Sequence, residues 1–72
     1  MDNFSAARRR AIAVAEEMGH EKVVPRDPTA THQELVDWIR SRRALAWHSG
    51  QAELLLAVED YARELGVELQ PL

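Results

Sequence analysis

Apolar residues recur every three or four positions in three stretches of the chain, which is the spacing of one face of an α-helix. These stretches cover about residues 4 to 18, 32 to 48 and 51 to 65. Each of the three glycines lies at the end of one stretch, and all three prolines lie outside them. Glycine commonly ends helices and proline interrupts them. The pattern therefore predicts an all-α fold, a small three-helix bundle that forms one domain over residues 1 to 72.

The second predicted helix has the strongest start signal in the chain. Thr31 is followed three residues later by Glu34, the spacing of a capping box in which each residue bonds to the backbone of the other. Both tryptophans, Trp38 and Trp47, lie on its broad apolar arc, and Arg42 falls within that arc rather than on the polar face. We therefore expect the rest of the chain to be organised around this helix.

The first predicted helix contains a run of three arginines. Successive residues lie about 100° apart around a helix, so these arginines fan over more than half of its circumference. A single phosphate site would need them to point the same way. We expect a solvated face instead, with Arg9 near Glu16 and Arg10 near Glu17.

The break between the second and third helices is short. Ser49 and Gly50 supply it, and either residue can cap the third helix. Connections of this length usually join antiparallel neighbours, so helices 2 and 3 are expected to form an antiparallel hairpin. Leu56 does not fit the apolar seam of the third helix, because it points about 160° away from it.

Two segments outside the helices are expected to be ordered. Residues 20 to 30 form a linker that contains two prolines, and its large apolar residues, Val23 and Val24, should dock onto the bundle as a short extended segment. The linker is long enough for helices 1 and 2 to run either parallel or antiparallel. Residues 67 to 72 alternate apolar and polar side chains and predict an extended tail, which rests on the bundle or pairs with the valines or with another chain.

The composition narrows the class of protein. A chain of 72 residues with 46% apolar residues and no cysteine has a small core and no disulfide to support it, so a partner or a second copy can supply further burial. No stretch approaches the roughly 20 apolar residues that span a bilayer. We expect a protein that is not membrane-bound and that works in the cytoplasm.

The residues that could carry chemistry do not form a recognised catalytic pattern. The three histidines, His20, His32 and His48, fall in a linker, at a helix start and at a helix end, which is not the spacing of a metal motif. No glycine-rich phosphate loop occurs, and the serines lie at caps or on a polar face. The sequence favours a protein that is not an enzyme and that uses no cofactor or metal.

The function that the sequence favours is protein–protein interaction, as a small adaptor, regulator or inhibitor that can associate with itself. Tryptophan and arginine are enriched among the residues that contribute most to interfaces. An exposed leucine on the outer face of the third helix adds to such a surface. The candidate partner-binding residues are Trp38, Arg42, Arg43, Trp47 and Leu56.

A nucleic-acid-binding regulator is the alternative. In a helix-turn-helix the last helix enters the major groove, but here that helix carries four acidic residues and a single arginine, so phosphates would repel it. Residues 30 to 48 hold three arginines against two acidic residues, so the second helix could dock instead. The candidate contacts are Arg8, Arg9, Arg10, Arg40, Arg42 and Arg43. The same arginines can also form an intramolecular charge match with the third helix.

Overall fold

The computed structural model describes residues 3 to 71. Its helices are α1 (Ala6–Glu17), α2 (His32–Ser49) and α3 (Ala52–Leu65). A single turn of 3-10 helix, Val24–Arg26, lies in the linker, and no strand occurs between residues 3 and 71. The predicted all-α three-helix bundle is confirmed. Leu72, the last residue of the predicted tail, lies outside the described residues.

The start of α2 has the predicted capping box. The Thr31 hydroxyl accepts a hydrogen bond from the Glu34 amide at 3.1 Å, and the Glu34 carboxylate accepts one from the Thr31 amide at 3.0 Å. These two bonds satisfy amides that have no carbonyl partner in the first turn of a helix. The helix ends at Gly50, whose φ of 70° is a left-handed conformation that few residues other than glycine adopt readily.

The other helix starts differ in how they are capped. Ser5 caps α1, and its hydroxyl accepts a hydrogen bond from the Arg8 amide at 3.2 Å. The prediction that Ser49 or Gly50 caps α3 is wrong, because α2 continues through Ser49 and Gly50 terminates it. Gln51 occupies the position before α3 and makes no side-chain capping bond.

The third helix, and not the second, lies at the centre of the bundle. It packs against both α1 and α2, and its side chains Leu54, Val58 and Tyr61 are almost completely buried. The expectation that the chain is organised around α2 is therefore wrong. The amphipathic pattern gave no means of ranking the helices, because each has one apolar face, and α2 and α3 bury five residues each.

Contacts between helices set their directions. The Ser5 hydroxyl donates to the Glu64 carboxylate, and Arg10 pairs with Asp60 at 2.9 Å, so the start of α1 lies beside the end of α3. The two helices are thus antiparallel. Since α2 and α3 form the predicted antiparallel hairpin, α1 and α2 run in the same direction, and the linker returns along the bundle between them.

The linker is a structural part of the bundle. Its 3-10 turn contacts both α1 and α2, and Pro25 within that turn is buried. Val23 and Val24 pack against the core as predicted. The segment is not extended at Val24, however, because the chain turns there and the amide of Asp27 donates to the Val24 carbonyl at 3.0 Å.

Small residues allow the helices to approach closely. Alanine side chains on α1 and α3 have no exposed surface, namely those of Ala11, Ala15, Ala57 and Ala62. Replacing any of them with a larger side chain would force the helices apart. Close helix contact at these alanines thus accompanies the burial of the larger core side chains, such as Trp38, Ile39 and Tyr61.

Replacing Thr31 with alanine tests the capping box. The variant loses the hydroxyl that satisfies the Glu34 amide, so we expect a loss of about 1 kcal/mol in the free energy of unfolding. For a domain of this size this corresponds to a fall of roughly 4 to 8 °C in Tm, measured by circular dichroism. Thr31→Ser keeps the hydroxyl and should stay near the parent. Equal losses in the two variants would contradict the assignment.

Replacing Tyr61 with phenylalanine tests the buried phenol. Burial raises the pKa of the Tyr61 hydroxyl, which has no hydrogen-bond partner among the described residues. An unfolded tyrosine ionises near pH 10, and the pKa of folded Tyr61 lies above that of the unfolded chain, so stability should fall as the pH rises above about 10.

The Tyr61→Phe variant should lose less stability over that alkaline range, because it lacks the only tyrosine in the chain. At neutral pH its free energy of unfolding should equal or exceed that of the parent, since the removed hydroxyl makes no bond. Urea denaturation at neutral and alkaline pH measures both effects. Parallel declines in the two proteins would rule out this role for Tyr61.

Candidate protein interface

The two tryptophans lie in different environments. Trp38 is 5% exposed and belongs to the core, whereas Trp47 is 53% exposed. Leu56 is exposed on the outer face of α3, and Leu45 is exposed on α2. Of the candidate partner-binding residues, Trp47 and Leu56 are therefore the ones that present apolar surface to solvent.

Arg42 is held against the core side of α2. Its guanidinium carbon lies 6.0 Å from the centre of the Trp38 ring, and its Nη2 donates to the Glu21 carbonyl at 3.0 Å. The arginine therefore covers the tryptophan and ties the linker to α2. This contact explains why an arginine falls within the apolar arc of the helix, because its methylene groups cover apolar surface while its head bonds to the backbone.

Arg43 takes part in the predicted charge match between α2 and α3. Its Nε donates to the Glu59 carboxylate at 3.1 Å, and its side chain is only 12% exposed. A partly buried ion pair between adjacent helices fixes their register better than a solvated one does. Arg43 thus helps to hold α2 and α3 together in the hairpin.

Arg8 binds the linker from α1. Its Nε donates to the Pro25 carbonyl at 2.7 Å and its Nη2 to the Asp27 carbonyl at 2.8 Å. Its guanidinium also lies 3.9 Å from the centre of the Phe4 ring. The rigid fork of donors in arginine suits this two-point contact. Asp27 is itself held in a turn by hydrogen bonds from the Thr29 amide and hydroxyl, which lower the pKa of its carboxyl group.

The other arginine pairings differ from those expected. Arg10 pairs with Asp60 on α3 rather than with Glu17. Glu16 binds Arg26 of the linker through two hydrogen bonds of 2.6 Å, which lower the pKa of its carboxyl group. The expected neighbours on α1 are therefore replaced by partners that the tertiary fold brings close.

Arg9 and Arg40 are the two candidate arginines that remain exposed without an ion pair to any residue between positions 3 and 71. They lie on different helices. The structure thus divides the six arginines proposed for nucleic-acid contact into four that hold the fold together and two that are free at the surface.

A cleft separates α2 from the C-terminal tail. It has a volume of about 560 Å³ and is lined by Arg40, Arg43 and Ala44 on one side and by residues 68 to 71 on the other. Trp47 lies one helical turn beyond Ala44 on the same face of α2. The sequence pattern indicated that the tail is extended, but it did not show that the tail folds back beside α2.

Metal sites and membrane spans are two further features for which the described residues give a result. Between residues 3 and 71, no group of three histidine, cysteine or acidic side chains is arranged to hold a metal ion. None of the three helices there is long and apolar enough to cross a lipid bilayer.

Replacing Arg8 with lysine tests whether this arginine is structural. Lysine keeps the charge but cannot donate from a rigid fork to two carbonyls, so we expect a loss of about 1 to 3 kcal/mol in the free energy of unfolding. Arg9→Lys is the matched control on the neighbouring exposed residue and should change stability by less than about 0.5 kcal/mol. Urea denaturation compares them. Similar small effects at both positions would show that the linker contact contributes little.

The chain was compared with protein-family models, with curated proteins and with solved structures. None of the three comparisons gives a match. The function is therefore inferred from the surface of this structure.

Proposed function

We propose that this chain is a small non-enzymatic interaction module that binds another protein in the cytoplasm as an adaptor, regulator or inhibitor. The observation that carries the proposal is the exposure of Trp47, of which 53% is open to solvent although the fold buries its other tryptophan. A tryptophan at an interface can bury more apolar area than almost any other side chain and is often an energetic hot spot.

The surroundings of Trp47 support binding to a protein. On one face of α2, Arg40 and Ala44 precede it by seven and three residues, so an exposed cation, a small side chain and an aromatic ring form one stripe. Interfaces combine such aromatic and arginine side chains at their centre. Leu56 offers a second apolar contact on α3.

Nucleic-acid binding is the weaker proposal. Arg8, Arg10, Arg42 and Arg43 already bond within the chain. A phosphate backbone would have to compete with those contacts, and the two exposed arginines are on separate helices. The acidic residues of α3 would also oppose a polyanion.

Affinity capture from extracts of the native cells tests the proposed function. The tagged chain and its Leu45→Ala variant should retain at least one common protein, whereas Trp47→Ala should lose it, with about tenfold weaker binding or more. Leu45 is the matched control, because it is an exposed apolar residue of the same helix. Circular dichroism confirms that the variants fold.

Two results would contradict the proposal. One is the absence of any protein that depends on Trp47. The other is tight, strongly salt-dependent binding to a generic DNA duplex that is lost in Arg9→Ala or Arg40→Ala, since counterion release is the sign of phosphate contacts.

A further inference from the structure

We propose that the cleft between α2 and the C-terminal tail is a homodimer interface, in which the tail of each copy lies in the cleft of the other. The inference rests on the proposed interaction function and names one partner for it, a second copy of this chain. Three observations carry it: the charges on the two walls of the cleft, the unbonded amides of the tail, and the exposed Trp47 one helical turn beyond the helix wall.

The two walls carry opposite charges that have no partner. Arg40 lies on the helix wall and Glu68 on the tail wall. Neither makes an ion pair or side-chain hydrogen bond with any residue that the structure describes. The other arginine of the cleft, Arg43, is already neutralised by Glu59.

A surface with one free charge of each sign is complementary to itself. A two-fold axis brings the same patch of two subunits together, so that residue i of one copy meets residue j of the other and the reverse. Arg40 of each copy can then pair with Glu68 of the other. A polyanion or a strongly acidic peptide fits less well, because Glu68 would repel it.

The tail offers unbonded backbone amides for pairing. Val67 ends the helical hydrogen bonds by donating to the Ala62 carbonyl at 2.9 Å. The amides of Glu68, Leu69 and Gln70 donate to no group among residues 3 to 71. Such a segment can accept a second extended strand through main-chain hydrogen bonds, as in strand addition.

The side chains of the tail are arranged for that role. Val67 and Leu69 pack against the core of their own subunit, and Glu68 and Gln70 are exposed between them. This alternation holds the segment on the bundle while its polar positions face outward. The tail of a second copy has the same unbonded amides, so two tails can pair in antiparallel fashion about the axis.

The dimer would also cover Trp47. This residue continues the helix wall of the cleft by one turn and remains half exposed in the single chain. The volume of the cleft, about 560 Å³, is within the range of roughly 300 to 1,000 Å³ found for pockets that bind drug-sized ligands. A partner tail can thus fill the cleft and leave apolar contact for the tryptophan.

Charge reversal of the purified chain tests the dimer. The molar mass is followed by light scattering and sedimentation equilibrium from micromolar to millimolar concentration. The parent should shift from monomer to dimer as concentration rises. Arg40→Glu and Glu68→Arg should each raise the dissociation constant about tenfold or more, because each places two like-charge contacts in the dimer.

The double variant, with Arg40→Glu and Glu68→Arg together, should restore a dissociation constant within about tenfold of the parent. Matched controls make the same charge changes on α1, with Arg9→Glu and Glu17→Arg, which lie away from the cleft. These should dimerise like the parent. Circular dichroism and thermal melts establish that each variant is folded.

The proposal is overturned if the parent stays monomeric throughout that concentration range. It is also overturned if both single-reversal variants dimerise as well as the parent does. A monomeric chain that still captures another protein through Trp47 would overturn the dimer and leave the proposed interaction function in place. A parent that dimerises as its concentration rises, together with restored dimerisation in the double variant, would support the proposed interface. This holds whichever proteins the capture experiment retains.

Discussion

The burial of α3 between α1 and α2 is the constraint on which the rest of the structure depends. A chain without disulfides must obtain its stability from one small core, and here one helix contributes to both helix–helix contacts. Alanines at those contacts let the helices approach closely. The linker then has to return along the bundle, and the tail is left to lie beside α2.

Local signals in the sequence predicted local structure well. The capping box at Thr31 and the glycines after the helices act within one turn, so their effects could be inferred without tertiary contacts. The partners of the arginines could not be inferred in this way. Arg10 and Asp60 are 50 residues apart, and no spacing rule relates residues that meet only after packing. The positions of the tail and of the cleft could not be predicted either, because the tail and α2 also meet only after packing.

The arginines show how tertiary structure changes the meaning of composition. A cluster of positive charge suggested phosphate contact, but the fold uses most of that charge on its own carbonyls and carboxylates. Arg8 and Arg42 bind backbone carbonyls of the linker from α1 and α2. The charge of an arginine that holds a loop in place is already satisfied by strong hydrogen bonds. The free charges of Arg40 and Glu68 are therefore more informative about partners than the total number of charged residues.

The parallel course of α1 and α2 has a consequence for how the domain assembles. The α2–α3 hairpin joins neighbours in sequence, whereas α1 reaches α3 only through contacts of high sequence separation, which carry a larger loop-closure entropy. The hairpin therefore closes at a smaller entropy cost than the contacts that bring α1 to α3. Trp47 lies on α2, so the exposed tryptophan belongs to the part of the bundle that closes through local contacts and not to the helix that is added from a distance.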